Sequence, residues 1–168
     1  MSGSGYTVRR ADVTDAGVIA THRAGMFHDM GELPPADVPT MEASMTPWFA
    51  ERLASGEYVG WFVEHRGQIV AGGGVLLRDL WSTPQSLAPG RHAHIGNIYT
   101  VAAHRRRGLA RLIMETILDW CAAKSIDYVT LSASPLGRPL YEQLGFMADT
   151  RAMRLANIDR NTPAYRRA

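Results

Sequence analysis

Apolar residues recur every three or four positions between Leu109 and Cys121, which is the spacing of a helix that buries one face. Two stretches rich in β-branched and aromatic residues, 58–64 and 68–77, predict a pair of strands. His65-Arg66-Gly67 lies between them and favours a hairpin turn. The helical stripe consists of Leu109, Leu112, Ile113, Thr116, Ile117, Trp120 and Cys121.

The N-terminal third has a weaker pattern. Tyr6 to Arg10 predicts a strand, and Thr14 to Met30 predicts a helix that follows the helical period loosely. Three prolines in 31–40 predict an irregular segment, so a second helix is expected from Met41 or Pro47 to Ala54. The stretch 78–91 is long for a connection in a compact domain, which leaves open whether it covers a site or is disordered.

The C-terminal half alternates strands and helices. Ser134-Pro135 has the pattern of a helix N-cap followed by proline at the first helical position. That helix is predicted to end at Leu144, with Gly145 as its left-handed cap. Three segments rich in apolar residues are predicted strands, namely 93–101, 126–133 and 147–156.

Strands and helices in this order predict the α/β class, a mixed sheet with helices on both faces. Residues 6–156 are predicted to form a single domain, with 1–5 and 157–168 as flexible ends. The chain has neither an apolar run long enough for a membrane helix nor an apolar signal core at its start. A cytoplasmic protein without membrane association is therefore expected.

Charge and cysteine content narrow the function classes. A net charge of +2, carried by 17 arginines and a single lysine, is too mild to predict nucleic acid as the main partner. The single cysteine, Cys121, excludes a disulfide framework and a cysteine metal cluster. Because it falls on the apolar stripe, we expect a buried, inert thiol rather than a nucleophile.

One basic loop, Arg105-Arg106-Arg107-Gly108-Leu109-Ala110, lies between the strand at 93–101 and the helical stripe. A helix entered through glycine and arginine offers unpaired backbone N–H groups and positive charge, which bind phosphate groups. Glycine at 108 lets the backbone approach a phosphate without an intervening Cβ. A solvated helix start and a nucleic-acid contact are the alternatives, and the strand–loop–helix context favours a small phosphate ligand.

The loop resembles the acyl-CoA loop of the GCN5-related N-acetyltransferases, the GNAT family, with the pattern Arg/Gln-x-x-Gly-x-Gly/Ala. Arg105, Gly108 and Ala110 fit that pattern, and the run from Leu140 to Phe146, LYEQLGF, resembles the family's tyrosine helix. The resemblance implies a GNAT-type, mostly antiparallel sheet of six to seven strands. It also implies transfer of an acetyl group from acetyl-CoA to a primary amine in a ternary complex, without a covalent enzyme intermediate.

The resemblance further implies where acetyl-CoA binds. In the family, the strand that corresponds to Ile98-Tyr99-Thr100 has a bulge and splays from its neighbour. Freed backbone groups bond the pantetheine arm, and one N–H faces the thioester oxygen. Ordinary strand residues are the alternative. The expected acetyl-CoA-binding residues are Ile98, Tyr99, Thr100, Arg105, Arg106, Arg107, Gly108, Leu109, Ala110 and Ser134.

Two residues are candidates for proton transfer. Tyr141 occupies the family's tyrosine position and is expected to protonate the departing thiolate, since a phenol has a pKa of about 10 and a thiol about 8.5. Its alternative role is to pack the helix end. His94 lies where family members often carry a catalytic glutamate, and it could deprotonate the amine or serve as a structural histidine.

Rival bases are Asp29, Glu32 and His28, because the region after the first helix lines the acceptor site in the family. His92-x-His94 places two imidazoles on one strand face, but no third ligand is evident, so no metal is predicted.

The acceptor pocket of the family lies between the first two helices and the strand edges. Asp29 and Glu32 would attract a cationic amine, and Trp48 could stack on the ligand or belong to the core. The expected acceptor-binding residues are Phe27, Asp29, Glu32 and Trp48. Tyr99, Met26 and Met30 are further candidates.

The nature of the acceptor stays open at this point. A small-molecule amine is the first prediction. The alternatives are a protein N-terminus, a charged tRNA, or a non-catalytic acyl-CoA sensor, and retained Tyr141 argues against the last. A homodimer is expected only by analogy with the family.

Overall fold

The computed structural model describes residues 5–154. Residues up to Ser134 form one compact unit, and residues from Pro135 onward form a second, smaller one. The strands of the larger unit are β1 (Tyr6–Arg10), β2 (Tyr58–His65), β3 (Gln68–Leu80), β4 (Gly90–Thr100) and β5 (Val129–Leu131). The helices are α1 (Ala16–Asp29), α2 (Val38–Ser55), α3 (Leu109–Ala123) and, in the smaller unit, α4 (Arg138–Gln143).

The sheet is mixed and mostly antiparallel, as predicted. Strands β1 to β4 form an antiparallel meander in chain order, and β5 pairs parallel with β4 at the edge. Helix α3 makes the connection between those two parallel strands. Five strands are present in residues 5–154, rather than the six to seven that the resemblance implies.

The missing strand is the one predicted at 147–156. Residues 147–154 form no strand, and 155–156 lie outside the described residues. A strand needs a partner for its backbone groups and one buried face, whereas Met147 and Met153 are 91% and 97% exposed. The predicted strand at 126–133 likewise shortens to Val129–Leu131.

Helices cover both faces of the sheet, as predicted. On one face α1 and α2 pack on Tyr58 and Phe62 of β2. On the other face α3 packs on the sheet, where Trp120 contacts Trp61 with ring centroids 5.6 Å apart. Because successive strand residues point to opposite faces, β2 is buried on both sides from Tyr58 to Val63.

Two predicted boundaries were wrong. Helix α2 begins at Val38, inside the proline-rich segment, because Pro39 falls in the first turn, where its missing N–H would have no partner. It then continues through Pro47. The predicted loop 78–91 is shorter than expected, since β3 and β4 stay paired as far as Leu80 and Gly90, which leaves 81–89 as the connection.

The smaller unit contains α4 and its C-terminal cap. The predicted helix start at Ser134-Pro135 was wrong, because the first helical hydrogen bond runs from the Tyr141 N–H to the Gly137 carbonyl. The predicted cap is present, since Gly145 has φ 93° and its N–H bonds the Glu142 carbonyl. No helix within residues 5–154 is long and apolar enough to cross a membrane.

Candidate active site

A bulge interrupts β4 at Asn97. Gly72 pairs with Tyr99 and Gly74 pairs with Gly96, so β4 carries one more residue than β3 across this interval. Asn97 has φ 59°, in the left-handed region that asparagine tolerates better than most residues. Gly72-Gly73-Gly74 of β3 lies opposite this bulge.

The glycines of β3 make room for side chains rather than for a ligand. A Cβ on Gly73 would lie 2.4 Å from Ile98 and 2.8 Å from Ile113, and one on Gly74 would lie 2.4 Å from the Tyr58 hydroxyl. The bulged part of β4 is therefore packed tightly against its antiparallel neighbour.

On its other side, β4 separates from β5 just before the bulge. The two strands pair from Ala93 to Ile95, opposite Val129 to Leu131, and no other described strand pairs with β4 on that side. Apart from the Thr100 carbonyl, which accepts a hydrogen bond from Arg105, the backbone groups of residues 96–100 that point toward β5 have no strand partner among the described residues and can bond another molecule. The bulge and splay that the resemblance implied are both present.

The basic loop has an unusual backbone. Arg106 and Gly108 have φ 62° and 78°, and α3 begins directly after Gly108. Alternating left-handed residues turn successive N–H groups toward one concave side, which is an anion-binding arrangement. Among the backbone bonds of the described chain, none is donated by the N–H groups of residues 106–108, and the first turn of a helix has no internal acceptors.

Arg105 is exposed, but its side chain is fixed by two contacts at the protein surface. Its Nε donates to the Thr100 carbonyl at 2.9 Å, and its guanidinium forms an ion pair with Asp29 at the end of α1. The hydrogen bond to Asp29 raises the pKa of Arg105 above its usual value. Two residues that the sequence assigned to different ligands, one to phosphate and the other to the amine, thus bind each other.

Asn97 also organises the face of the sheet that carries α1. Its Oδ1 accepts a hydrogen bond from Arg23 of α1 at 2.9 Å, and its Nδ2 donates to the Tyr58 hydroxyl at 3.1 Å. Tyr58 is buried, and this burial raises its pKa to about 12, so the phenol stays protonated. The Asn97 side chain therefore ties the bulge to α1 and β2.

His94 lies on the α1 face of the sheet, in the part of β4 just before the bulge at Asn97. Its Nδ1 is 2.9 Å from the Thr130 hydroxyl of β5. Burial lowers the pKa of His94, and the positive charges of Arg78 and Arg23 lower it further. The imidazole is consequently neutral at pH 7, which is the form that can accept a proton.

A groove of about 540 Å³ opens between α1, α2 and the end of β4. Gly25 and His28 of α1, Glu42 of α2 and Tyr99 of β4 contribute to its wall. His22 lies at its base, against the Tyr99 ring at 5.0 Å, and burial lowers the pKa of His22 to about 4. The groove lies between the first two helices and the end of a strand, where the resemblance predicts the acceptor pocket, and binding of an acceptor there stays a prediction.

Several residues predicted to bind the acceptor lie elsewhere. Trp48 packs on the core beneath the guanidinium of Arg52, 3.8 Å from its ring centroid, and Phe27 lies under Arg23. Glu32 is exposed beyond the end of α1. The groove wall includes none of these three, and their contact with an acceptor stays a prediction.

The remaining predicted residues occupy separate places. Ser134 follows β5 and is half-buried. Tyr141 lies on α4 in the smaller unit, where its ring contacts Phe146 and burial raises its pKa. Cys121 is buried on α3 as predicted, and burial raises the pKa of its thiol. Within residues 5–154, no three His, Cys, Asp or Glu side chains are grouped as metal ligands.

Sequence reasoning missed Asn97, Arg23 and Glu42. Asparagine inside a β-branched strand is a signal that could have been read, because asparagine is depleted in strands and enriched at left-handed positions. Arg23 and Glu42 carry no comparable local signal, since their importance depends on which elements pack beside them.

Comparison with known proteins agrees with this geometry. The model of the Acetyltransferase (GNAT) family matches residues 25–146. A GCN5-related N-acetyltransferase from Ralstonia eutropha is 27% identical, with a TM-score of 0.83 over 90% of this chain and 98% of that one. A predicted acetyltransferase with acetyl-CoA from Clostridium acetobutylicum is 28% identical, with a TM-score of 0.81 over 89% and 95%.

More distant structures share the fold alone. An aminoglycoside acetyltransferase from an uncultured soil metagenomic sample has a TM-score of 0.68 and 18% identity, over 94% of this chain and 99% of that one. No curated protein matches the chain significantly.

Proposed function

Because this chain belongs to the GNAT family of acetyltransferases, we propose that it moves an acetyl group from acetyl-CoA to a primary amine of a small molecule. The observation that carries the proposal is the bulge at Asn97 beside the free edge of β4, next to the N-terminus of α3. The pantetheine arm of acetyl-CoA can lie along that edge while the phosphates of the same molecule reach the N-terminus of α3.

Binding of acetyl-CoA uses mainly backbone groups. The N–H groups of residues 106–110 and the positive end of α3 bind the pyrophosphate, and Arg106 and Arg107 add charge. Free backbone groups of residues 96–100 bond the pantetheine amides. One N–H near Ile98 bonds the thioester oxygen and stabilises the negative charge that develops there, an effect worth a few kcal/mol.

The amine then attacks the thioester carbon directly. His94 takes a proton from the ammonium, directly or through water, because an alkylamine has a pKa of about 10.4 and arrives charged. The new C–N bond forms as the C–S bond breaks, and Tyr141 donates its phenolic proton to the departing thiolate. The nitrogen then loses its remaining extra proton to give the neutral amide, and the Tyr141 phenolate regains a proton, so that the protons balance. The raised pKa of Tyr141 keeps that proton in place beforehand.

Direct transfer in a ternary complex is favoured over a covalent enzyme intermediate. The single cysteine, Cys121, is 2% exposed and packs in the core, and burial raises the pKa of its thiol. Cytoplasmic location and a homodimer stay predictions.

The experiment is thiol release from acetyl-CoA with a panel of primary amines, for the wild-type protein and Tyr141→Phe. We expect at least one amine to be acetylated, and the variant to keep its acetyl-CoA affinity while kcat falls at least tenfold. Tyr128→Phe removes a hydroxyl from a tyrosine outside the proposed site and serves as the control. Unchanged turnover in Tyr141→Phe would exclude the acid role.

Acetyl-CoA binding without acetylation of any small amine would contradict the proposed acceptor class. Proteins and tRNA would then be tested as acceptors, and failure there would support a sensor.

A further inference from the structure

Two guanidinium groups and one imidazole lie on the α1 face of the sheet, and we refer to Arg23, Arg78 and His94 as the basic cluster. Leu76 of β3 pairs with His94 of β4, and Leu76 packs against the core formed with α1 and α2. Arg78 is two residues further along β3, so it points to the same face. Arg23 reaches this face from α1 through Asn97.

Arg23 is a half-buried cation whose described partners are neutral. Its guanidinium donates to Asn97 Oδ1 at 2.9 Å and lies 4.9 Å from the centroid of the Phe27 ring. Burial lowers its pKa, and no carboxylate of residues 5–154 forms an ion pair with it. Partial burial of an unpaired charge is costly, so an anionic partner would stabilise this arrangement.

Other partly buried arginines of this protein do have carboxylate partners. Arg9 pairs with Asp15 at 2.8 Å and with Glu64 at 2.5 Å, and Arg52, whose side chain is 25% exposed, pairs with Glu51 at 3.5 Å. The chain therefore provides carboxylates where an arginine has a structural role. At Arg23 it provides an amide oxygen, which leaves the positive charge uncompensated.

Arg78 adds a second positive charge at the same place. It is exposed, and it forms no ion pair with any carboxylate of the described part of the chain. Both Arg78 and Arg23 lie close enough to His94 for their charges to lower its pKa. Two guanidinium groups thus lie on the same face of the sheet as one imidazole, and two guanidinium groups can bind one carboxylate or phosphate.

The cluster lies on the acceptor side of the bulge. Arg23 bonds the side chain of the bulged residue itself, whereas α3 and its phosphate-binding N-terminus cover the opposite face of the sheet. Acetyl-CoA with its phosphates bound at α3 would therefore not occupy the basic cluster. A small molecule anchored at Arg23 would have its amine within reach of the free edge of β4.

We propose that the acceptor amine carries an oxyanion group, a carboxylate or a phosphate, which Arg23 and Arg78 bind beside His94. This inference rests on the proposed acetyl transfer and adds the substrate class. An amino acid and a phosphorylated amino sugar share the required chemistry, and the experiment distinguishes them.

The test compares kcat/KM for matched amines that differ in charge alone. One pair is an amino acid and its carboxamide, and the other is an amino sugar phosphate and the unphosphorylated sugar. We expect at least a tenfold preference for the anionic member of one pair, and that pair identifies the oxyanion. In Arg78→Gln the preference should fall to threefold or less through a higher KM, and Arg78→Lys should restore part of it.

Arg91→Gln is the matched control. Arg91 pairs with Asp79, one step from the Arg78–His92 pair, so its side chain points to the opposite face. This variant loses the same charge, and the anionic preference should persist in it. Loss of the preference in both variants would indicate long-range electrostatics and would overturn a specific site.

Two further outcomes separate this inference from the proposed function. If amines are acetylated without any preference for the anionic member, the oxyanion site is wrong and acetyl transfer stands. If no amine reacts, calorimetry with the CoA-saturated protein still decides. The N-acetylated anions should bind at least tenfold more tightly than their neutral counterparts, and Arg78→Gln should abolish that difference. Equal binding would overturn the site.

Discussion

The two sides of β4 are built in different ways. On the side of β5 and α3, the proposed acetyl-CoA site consists of backbone groups from two short stretches, 96–100 and 106–110. On the α1 side, the proposed acceptor site consists of side chains from separate elements, with Arg23 from α1, Arg78 from β3 and His94 from β4.

This difference separates a general function from a specific one. In the proposed function, backbone groups bind acetyl-CoA, the co-substrate that the family uses. The side chains at positions such as 106 and 107 can therefore vary. Side chains from three separate elements can change one at a time without altering the sheet. Substrate choice should therefore depend on the α1 side, and the following substitutions test each side.

The largest effect is expected at Asn97, which belongs to both sides. Asn97→Ala removes the bonds to Arg23 and Tyr58 and places an alanine at φ 59°. We expect the free energy of unfolding to fall by about 3 kcal/mol, from unsatisfied buried partners and left-handed strain, as measured by denaturant unfolding.

Asn97→Gly separates the two contributions, because glycine accepts a positive φ while also losing the side chain. It should recover about 1 kcal/mol of that loss. Equal stabilities of the two variants would mean that the backbone conformation contributes nothing to the cost.

The acetyl-CoA side is tested by a matched pair of glycines. Gly108 and Gly56 have nearly identical backbone conformations, φ 78° with ψ 8° and 9°, and a Cβ at either would meet nothing within 4 Å. Alanine at either position should cost about 1 kcal/mol of stability. Only Gly108→Ala should weaken acetyl-CoA binding, by at least tenfold in calorimetry, because its Cβ would enter the space proposed for phosphate.

Comparable acetyl-CoA affinities in the Gly108 and Gly56 variants would argue that the phosphates do not approach this loop closely.

On the acceptor side, the pH dependence of kcat/KM tests His94. The pKa of His94 is lowered below its usual value of 6.5, so the rate should persist below pH 6.5 and fall only as pH drops through that lowered value. Arg78→Gln removes one of the charges that lower the pKa, and the acid limb should move to higher pH.

His94→Gln should reduce the rate at least tenfold and remove this limb, whereas His65→Gln, at the end of β2, should change neither. A limb that stays in His94→Gln would assign the base to another group.

The smallest effect is expected at Asp29. Its carboxylate is 38% exposed and pairs with Arg105, and exposed ion pairs contribute at most about 1 kcal/mol. Asp29→Asn should leave KM for the amine unchanged and weaken acetyl-CoA binding by no more than about threefold, since Arg105 keeps its bond to Thr100. A tenfold rise in KM for the amine would instead restore Asp29 as an acceptor-binding residue.

Prediction from sequence succeeded where the signal was local. The buried face of α3, the turn at Arg66-Gly67 and the cap at Gly145 depend on residues a few positions apart, and each is present. It failed at 147–156, because a strand forms only with a partner. It also failed at 38–40, where the position of Pro39 in the first helical turn decides whether the residue is tolerated.

The sequence by itself determined the proposed phosphate-binding half of the site, because Gly108 and the helix that begins after it are neighbours in the chain. Tertiary structure alone decided the proposed acceptor half. Arg23, Arg78 and His94 are far apart in the chain, and they meet because strand register and the packing of α1 bring them to one face. Whether these residues can bind one substrate group depends on the distances between them in space, and no local sequence pattern predicts those distances.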